Sequence, residues 1–161
     1  MVRSRGNGLI KIVTGIRRSG KSFLLKKLFR QHLLDDGVQD DHIIIIDMES
    51  RKNKAFKDPD YLLDYIDNVM KDDNTYYIII DEVQEVNDFV EVLSTLSVTE
   101  GTDVYVTGSN SRFLSSDVVT EFRGRGDEIH VWPLSFKEYM SVYDGSVEKG
   151  WAEYRICLLY T

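Results

Sequence analysis

Residues 15–22 read Gly-Ile-Arg-Arg-Ser-Gly-Lys-Ser, and no other stretch of the chain limits its fold so tightly. The spacing G-x-x-x-x-G-K-[ST] carries its meaning only between a strand and a helix. There the loop can curl and turn successive backbone N–H groups inward on one phosphate. The glycines permit the curl. Both neighbours are present: Leu9–Thr14 is a short β-type run, and Lys21–Leu34 has helical spacing. In that setting the backbone of Gly15, Ile16, Arg17, Arg18, Ser19 and Gly20 lines a phosphate cradle. Lys21 sets a point charge on the β and γ oxygens, Ser22 offers a hydroxyl to Mg²⁺, and Phe23 closes the ligand-binding stretch. The side chains of Arg17 and Arg18 either flank the phosphates or face solvent or a partner.

The rest of the chain alternates short β-branched runs with helical stretches. Strands are expected at Leu9–Thr14, Ile43–Asp47, Tyr76–Asp81, Asp103–Gly108 and Glu128–Trp132. Ile43–Ile46 and Tyr77–Ile80 are apolar on consecutive residues, as strands buried on both faces are, so the class is α/β with a parallel sheet under helices. The first helix should close near Gly37, a left-handed cap. Asp58 and Pro59 supply a side-chain cap and a proline at the first position of the second, whose Leu62, Ile66, Val69 and Met70 share a face. A third runs from about Asp88 to Leu96, with Phe89, Val92, Leu93 and Leu96 inward. Ser135 and Glu138 form a capping box that opens a last helix through about Tyr143. Residues 1–143 are expected to form one core. Residues 144–161 hold one helix-sized segment with an apolar end and are expected to be the start of a further segment cut short.

Tyr76–Asp81 followed by Glu82 is the companion to the glycine loop. Ligands of a parallel α/β sheet sit at the carboxyl ends of the strands, so Asp81 should emerge beside the loop and hold the Mg²⁺ shell with Ser22. Glu82 is placed to polarise an attacking water as general base. Taken alone, the pair also suits an acidic turn capping the next helix. If the fourth strand lies between the first and third, Ser109 and Asn110 reach the γ-phosphate and the water. The same Gly-Ser-Asn sequence also suits a plain turn. Arg125, in preference to Arg123, can neutralise charge on a transferred phosphoryl group, and both also suit solvent-facing arginines of a glycine turn.

Several classes are excluded or disfavoured. A net charge of −7 argues against a domain that grips nucleic acid over its whole surface. Basic clusters such as Lys26/Lys27 and Arg51/Lys52/Lys54 read as solvated faces or phosphate contacts. One cysteine rules out an internal disulfide, and the three histidines are scattered and read as structural. No apolar run approaches the ~20 residues of a membrane span, so a cytoplasmic location without membrane contact is expected. Asn53–Phe56 lacks the aspartate that reads guanine.

With these motifs in hand, the chain resembles the AAA+ superfamily. More narrowly, it is similar to the prokaryotic proteins called "AAA superfamily ATPase". The resemblance rests on Thr14–Ser22, Ile80–Gln84, Thr107–Ser111, and Gly124 and Arg125 followed by Pro133–Tyr139. It implies a three-layer P-loop NTPase core with a parallel five-stranded sheet in the order 5-1-4-3-2. It also implies ATP as the nucleotide. With the residue readings of Ser22, Asp81 and Glu82, the expectation is Mg-ATP binding and hydrolysis to ADP and phosphate, with a homo-oligomer supplying an arginine in trans as one option. In full-length relatives the resemblance implies a winged-helix segment and a C-terminal domain of nuclease-like character, through which DNA or a protein partner would be engaged. A nucleotide-dependent switch or recruitment module with little hydrolysis is the alternative function.

Overall fold

The computed structural model describes residues 1–108, 122 and 126–159. Five parallel strands form one sheet: β1 (Ile10–Thr14), β2 (Ile43–Asp47), β3 (Tyr76–Asp81), β4 (Thr102–Thr107) and β5 (Gly126–His130). Their order is β2-β3-β4-β1-β5, the expected order read from the other edge. β1 and β3 are buried along their whole length, which is why their sequences show no apolar–polar alternation. Registers place Asp47 beside Asp81, Val13 beside Thr107 and Thr14 beside His130.

The helices cover both faces. Lys21–Phe23, Leu24–Phe29 and Arg30–Asp35 run on as one rod, α1, whose Leu25, Phe29 and Leu33 pack on Val13, Ile79 and Tyr105. Its middle segment is π-wound, a widening that helices use mostly at functional sites. α1 ends at Gly37 in the left-handed region (φ 86°), where the Gly37 and Val38 N–H groups bond back to Leu34 and Leu33. The other face carries α2 (Pro59–Val69) and α3 (Phe89–Val98). Leu62 and Ile66 of α2, and Val92, Leu93 and Leu96 of α3, join Ile12, Ile46, Ile78, Ile80 and Val106 in a second core. Burying each such side chain contributes about 1.5–3 kcal/mol. Asp58 caps α2 by accepting the Tyr61 N–H at 3.0 Å.

After β5 come α4 (Phe136–Met140) and α5 (Val147–Leu159). Ser135 and Glu138 make the capping box. The helix stops short of Tyr143, because the Ser141 hydroxyl bonds the Glu138 carbonyl at 2.6 Å and the chain tightens into a turn. α5 lies against α4, with the Tyr143 hydroxyl donating to Glu153 at 3.0 Å and the Tyr154 hydroxyl to the Leu134 carbonyl at 2.6 Å. β5 begins two residues earlier than its β-branched sequence suggests, at Gly126 opposite Ile10, and ends before Trp132. Pairing with β1, which runs out at Thr14, sets those limits. Among the described residues no helix is long and apolar enough to cross a membrane.

Candidate functional site

Because all five strands run the same way, their carboxyl ends share one edge, and each ends in a polar residue: Thr14, Asp47, Asp81, Thr107 and His130. Ligands of such sheets bind there. The glycine loop leaves this edge from β1. At Gly15 (φ 143°) an added Cβ would stand 2.3 Å from the Val131 carbonyl oxygen, so the loop's first position admits only glycine. Below it, the Thr14 hydroxyl donates to Glu128 at 2.9 Å and lies 3.0 Å from His130 Nδ1, which fastens β5 to the loop's base.

Lys21 is buried inside the curl, and its Nζ donates to the Gly15 and Ile16 carbonyls at 2.9 and 3.0 Å. Burial lowers its pKa from the usual lysine value, and the carboxylates of Glu82 and Asp81 work against that fall. The ammonium is thus aimed at the loop's centre with few solvent contacts to give up.

Asp81 anchors the acidic half. Its Oδ1 accepts hydrogen bonds from Ser22 Oγ (2.9 Å) and Thr107 Oγ1 (2.6 Å), and its Oδ2 pairs with Lys26 Nζ at 2.7 Å. Lys26 also reaches Asp47 Oδ2 at 2.8 Å. Burial opposes the Lys26 charge, but the bonds to Asp47 and Asp81 outweigh it and raise its pKa. Glu82 follows in a left-handed backbone conformation (φ 57°, ψ 53°), its N–H donating to Thr107 Oγ1 at 2.9 Å. Such a conformation costs a non-glycine residue about 1–3 kcal/mol and collects at active sites. The Gln84 side-chain amide donates to the Glu82 carboxylate, and Gln84 Oε1 is buried with no partner among the described residues.

Two cavities flank the loop. One, of about 310 Å³, is lined by Arg17, Arg18, Lys21, Ser22, Glu49 and Glu82. The other, of about 450 Å³, is apolar and lies between the loop's outer side and the segment after β5, against Ile16, Phe23, Leu24, Trp132, Pro133 and Tyr139. Polar and apolar halves on either side of a curled backbone suit a ligand with an anionic and a flat aromatic end.

The structure brings Gly15, Ile16, Arg17, Arg18, Ser19, Gly20, Lys21, Ser22 and Phe23 together with Asp81 and Glu82, as the sequence reading requires. Arg17 and Arg18 are exposed and border the polar cavity. β4 does lie between β1 and β3. Ser109, Asn110, Arg123 and Arg125 lie outside the described residues. Sequence reasoning missed Lys26, Asp47, Glu49, Gln84 and Thr107. The sequence suggests a solvated or phosphate-contacting cation at Lys26, whereas it forms ion pairs with Asp47 and Asp81. Its spacing of four from Ser22, which puts both on one helical face, was the available signal.

The donor set suits magnesium. Ser22 and Thr107 hydroxyls converge on one carboxylate oxygen, all hard oxygen donors. Among the described residues no three His, Cys, Asp or Glu side chains could hold a metal by themselves. Magnesium is usually held this way, by one or two carboxylates together with substrate phosphates rather than a full protein cage. Ser22 and Asp81 are the residues that would hold it.

A parallel sheet in this order, a curled glycine loop and an acidic strand end beside it define a P-loop nucleoside-triphosphatase fold. The chain belongs to the AAA domain family, whose model matches residues 7–140, and so to the AAA+ superfamily of P-loop ATPases. It is 34% identical over 141 residues to an uncharacterized protein of Haemophilus influenzae, covering 87% of this chain and 35% of that protein. It is 30% identical over 142 residues to an uncharacterized protein of Methanocaldococcus jannaschii, covering 87% of this chain and 30% of that one. The chain thus spans about a third of the length of these relatives. Among solved structures, PCH-2 of C. elegans shares the fold, with a TM-score of 0.58 at 17% identity over 84% of this chain and 38% of that one.

Proposed function

We propose that this chain binds Mg-ATP at the carboxyl edge of the sheet and hydrolyses it to ADP and phosphate. The observation that carries this reading is the 2.9 Å bond between Ser22 and Asp81, which joins the glycine loop to the acidic strand end at one point. The loop's N–H groups and Lys21 would take the β and γ phosphates, and the apolar cavity would take the base. Magnesium, when bound, neutralises phosphate charge. Glu82 would accept the proton of the attacking water, and Ser109 and Asn110 would orient that water. A second copy of the chain, supplying Arg125 in trans, and a DNA or protein partner in the cytoplasm belong to the same proposal.

A nucleotide-dependent switch with little turnover is the second reading. It is favoured by the Gln84 bond, which occupies the Glu82 carboxylate. Steady-state hydrolysis by wild type and Glu82→Gln separates the two. Loss of a general base costs about 10²–10⁴ in rate, so the variant should bind ATP and lose at least a hundredfold in turnover. Equal turnover by both proteins rules out Glu82 as the base.

A further inference from the structure

Asp47 and Asp81 end adjacent strands in direct register, so two carboxylates stand side by side at the edge of the sheet. Like charges so placed repel one another and attract a divalent cation. Lys26 stands between them, with Nζ 2.8 Å from Asp47 Oδ2 and 2.7 Å from Asp81 Oδ2. Its side chain, 26% exposed, comes from the π-wound segment of α1 on the same helical face as Ser22. Asp81 therefore has one oxygen taken by two hydroxyls and the other by an ammonium.

We infer that Lys26 is a resident cation of the acidic edge. It positions the Asp81 carboxylate toward Ser22 and cancels one of the two negative charges, so that a divalent ion does not settle there alone but arrives with the phosphates. This rests on the nucleotide-site reading for its consequence and on the ion pairs for its substance. The charge count is explicit. Asp47, Asp81 and Lys26 carry −1 together, a Lys26→Met cluster carries −2, an Asp47→Asn cluster 0, and the double variant −1 again. Magnesium attraction should follow that count rather than the number of bonds left intact.

The test is Mn²⁺ binding to the nucleotide-free protein, read by electron paramagnetic resonance at low salt, with circular dichroism and melting curves to establish folding. One extra unit charge about 5 Å from a divalent ion should shift binding by about tenfold at low salt. Lys26→Met should therefore bind Mn²⁺ about tenfold more tightly than wild type. Lys26→Arg should stay as weak as wild type, and Lys26→Met with Asp47→Asn should return to near the wild-type value. Equal Mn²⁺ affinity in wild type and Lys26→Met overturns the inference. So does a double variant that binds as tightly as Lys26→Met, and so does an Arg variant that behaves like Met. No nucleotide enters these measurements. A protein that failed to bind ATP would refute the proposed function and leave this result standing, and the converse holds as well.

Discussion

At the amino edge of the sheet, Lys11 and Asp103 form an ion pair shut off from water. At the carboxyl edge, Lys26 joins Asp47 and Asp81 in one that water reaches. Lys11 and Asp103 are 0% and 3% exposed, against 26% and 36% for Lys26 and Asp47. Both oxygens of the closed pair's carboxylate are also occupied. Asp103 Oδ2 accepts the Gly6 N–H and the Tyr105 hydroxyl, each at 3.0 Å, and Lys11 lies over the Tyr105 ring. Burial and the Asp103 charge push the Tyr105 pKa up, which keeps it a donor. Arg5 continues the network to the Tyr77 hydroxyl at 2.7 Å and Asp36 at 2.6 Å. This edge ties the first residues of the chain to the sheet through a pair buried away from solvent. The carboxyl edge uses similar groups with Lys26 and Asp47 partly in solvent over a buried Asp81, beside the glycine loop, where a ligand's charges can replace internal ones. Substitutions of these charged groups should therefore move stability at the amino edge and ligand binding at the carboxyl edge.

The largest departure should come from Lys11→Met. It leaves Asp103 buried without its cation, and breaking a buried pair in that way costs about 3–5 kcal/mol. Urea unfolding should show a midpoint far below wild type. A near-normal midpoint would mean that the amino edge does not carry the fold as described.

Gly15→Ala comes next and tests whether the carboxyl edge is as rigid as its geometry requires. The new methyl would meet the Val131 carbonyl at a backbone angle that alanine rarely takes. A destabilisation of about 1–3 kcal/mol with loss of nucleotide binding is expected from calorimetry and titration together.

Away from both edges, Asp58→Ala removes the cap of α2 and should cost about 1 kcal/mol by chemical denaturation while leaving the ligand site unchanged.

The smallest effect concerns His42, just before β2 at the amino edge. Its ring nitrogens face Asp41 at 2.8 Å and Asp72 at 3.1 Å, and it stacks on Tyr76. The hydrogen bond to Asp41, opposed by burial and helped by Asp72, raises its pKa above the ordinary histidine value of about 6.5. The protonated form is thus favoured by folding. Its contribution is complete below pH about 6.5 and fades as pH rises through the higher folded value. Denaturation midpoints of His42→Gln, measured against pH, should lose that slope relative to wild type, and an unchanged slope would contradict a stabilising ion pair of His42 with Asp41 and Asp72.

The sequence makes most of the carboxyl edge legible and leaves the amino edge obscure. Gly15, Lys21, Ser22 and Asp81 stand at spacings that only a phosphate loop and its acidic partner require. The runs Ile43–Ile46 and Tyr77–Ile80 announce buried parallel strands, and Gly37, Asp58 and Ser135 mark helix ends by local backbone chemistry. Lys11 and Asp103 gave no such signal. A lysine and an aspartate inside strands look like solvent-facing positions until pairing brings β1 beside β4. Even at the carboxyl edge, the ion-pair partners of Lys26 and the contacts of Asp47 and Thr107 lie on other elements and become neighbours through the sheet order, and for Lys26 the helical spacing from Ser22 is the one local sign. The limits of β5 were likewise set by its partner β1 rather than by its own β-branched residues.

The contrast between the edges is most directly tested by titrating ATP with Mg²⁺ into wild type and Lys21→Ala in a calorimeter, beside urea unfolding of both. Saturable binding by wild type is expected. In Lys21→Ala, binding should be lost with the unfolding midpoint little changed, because among the described residues Lys21 Nζ hydrogen-bonds to the loop carbonyls of Gly15 and Ile16 rather than to a core element. Equal ATP affinity in the two proteins would contradict the assignment of the carboxyl edge as the nucleotide site.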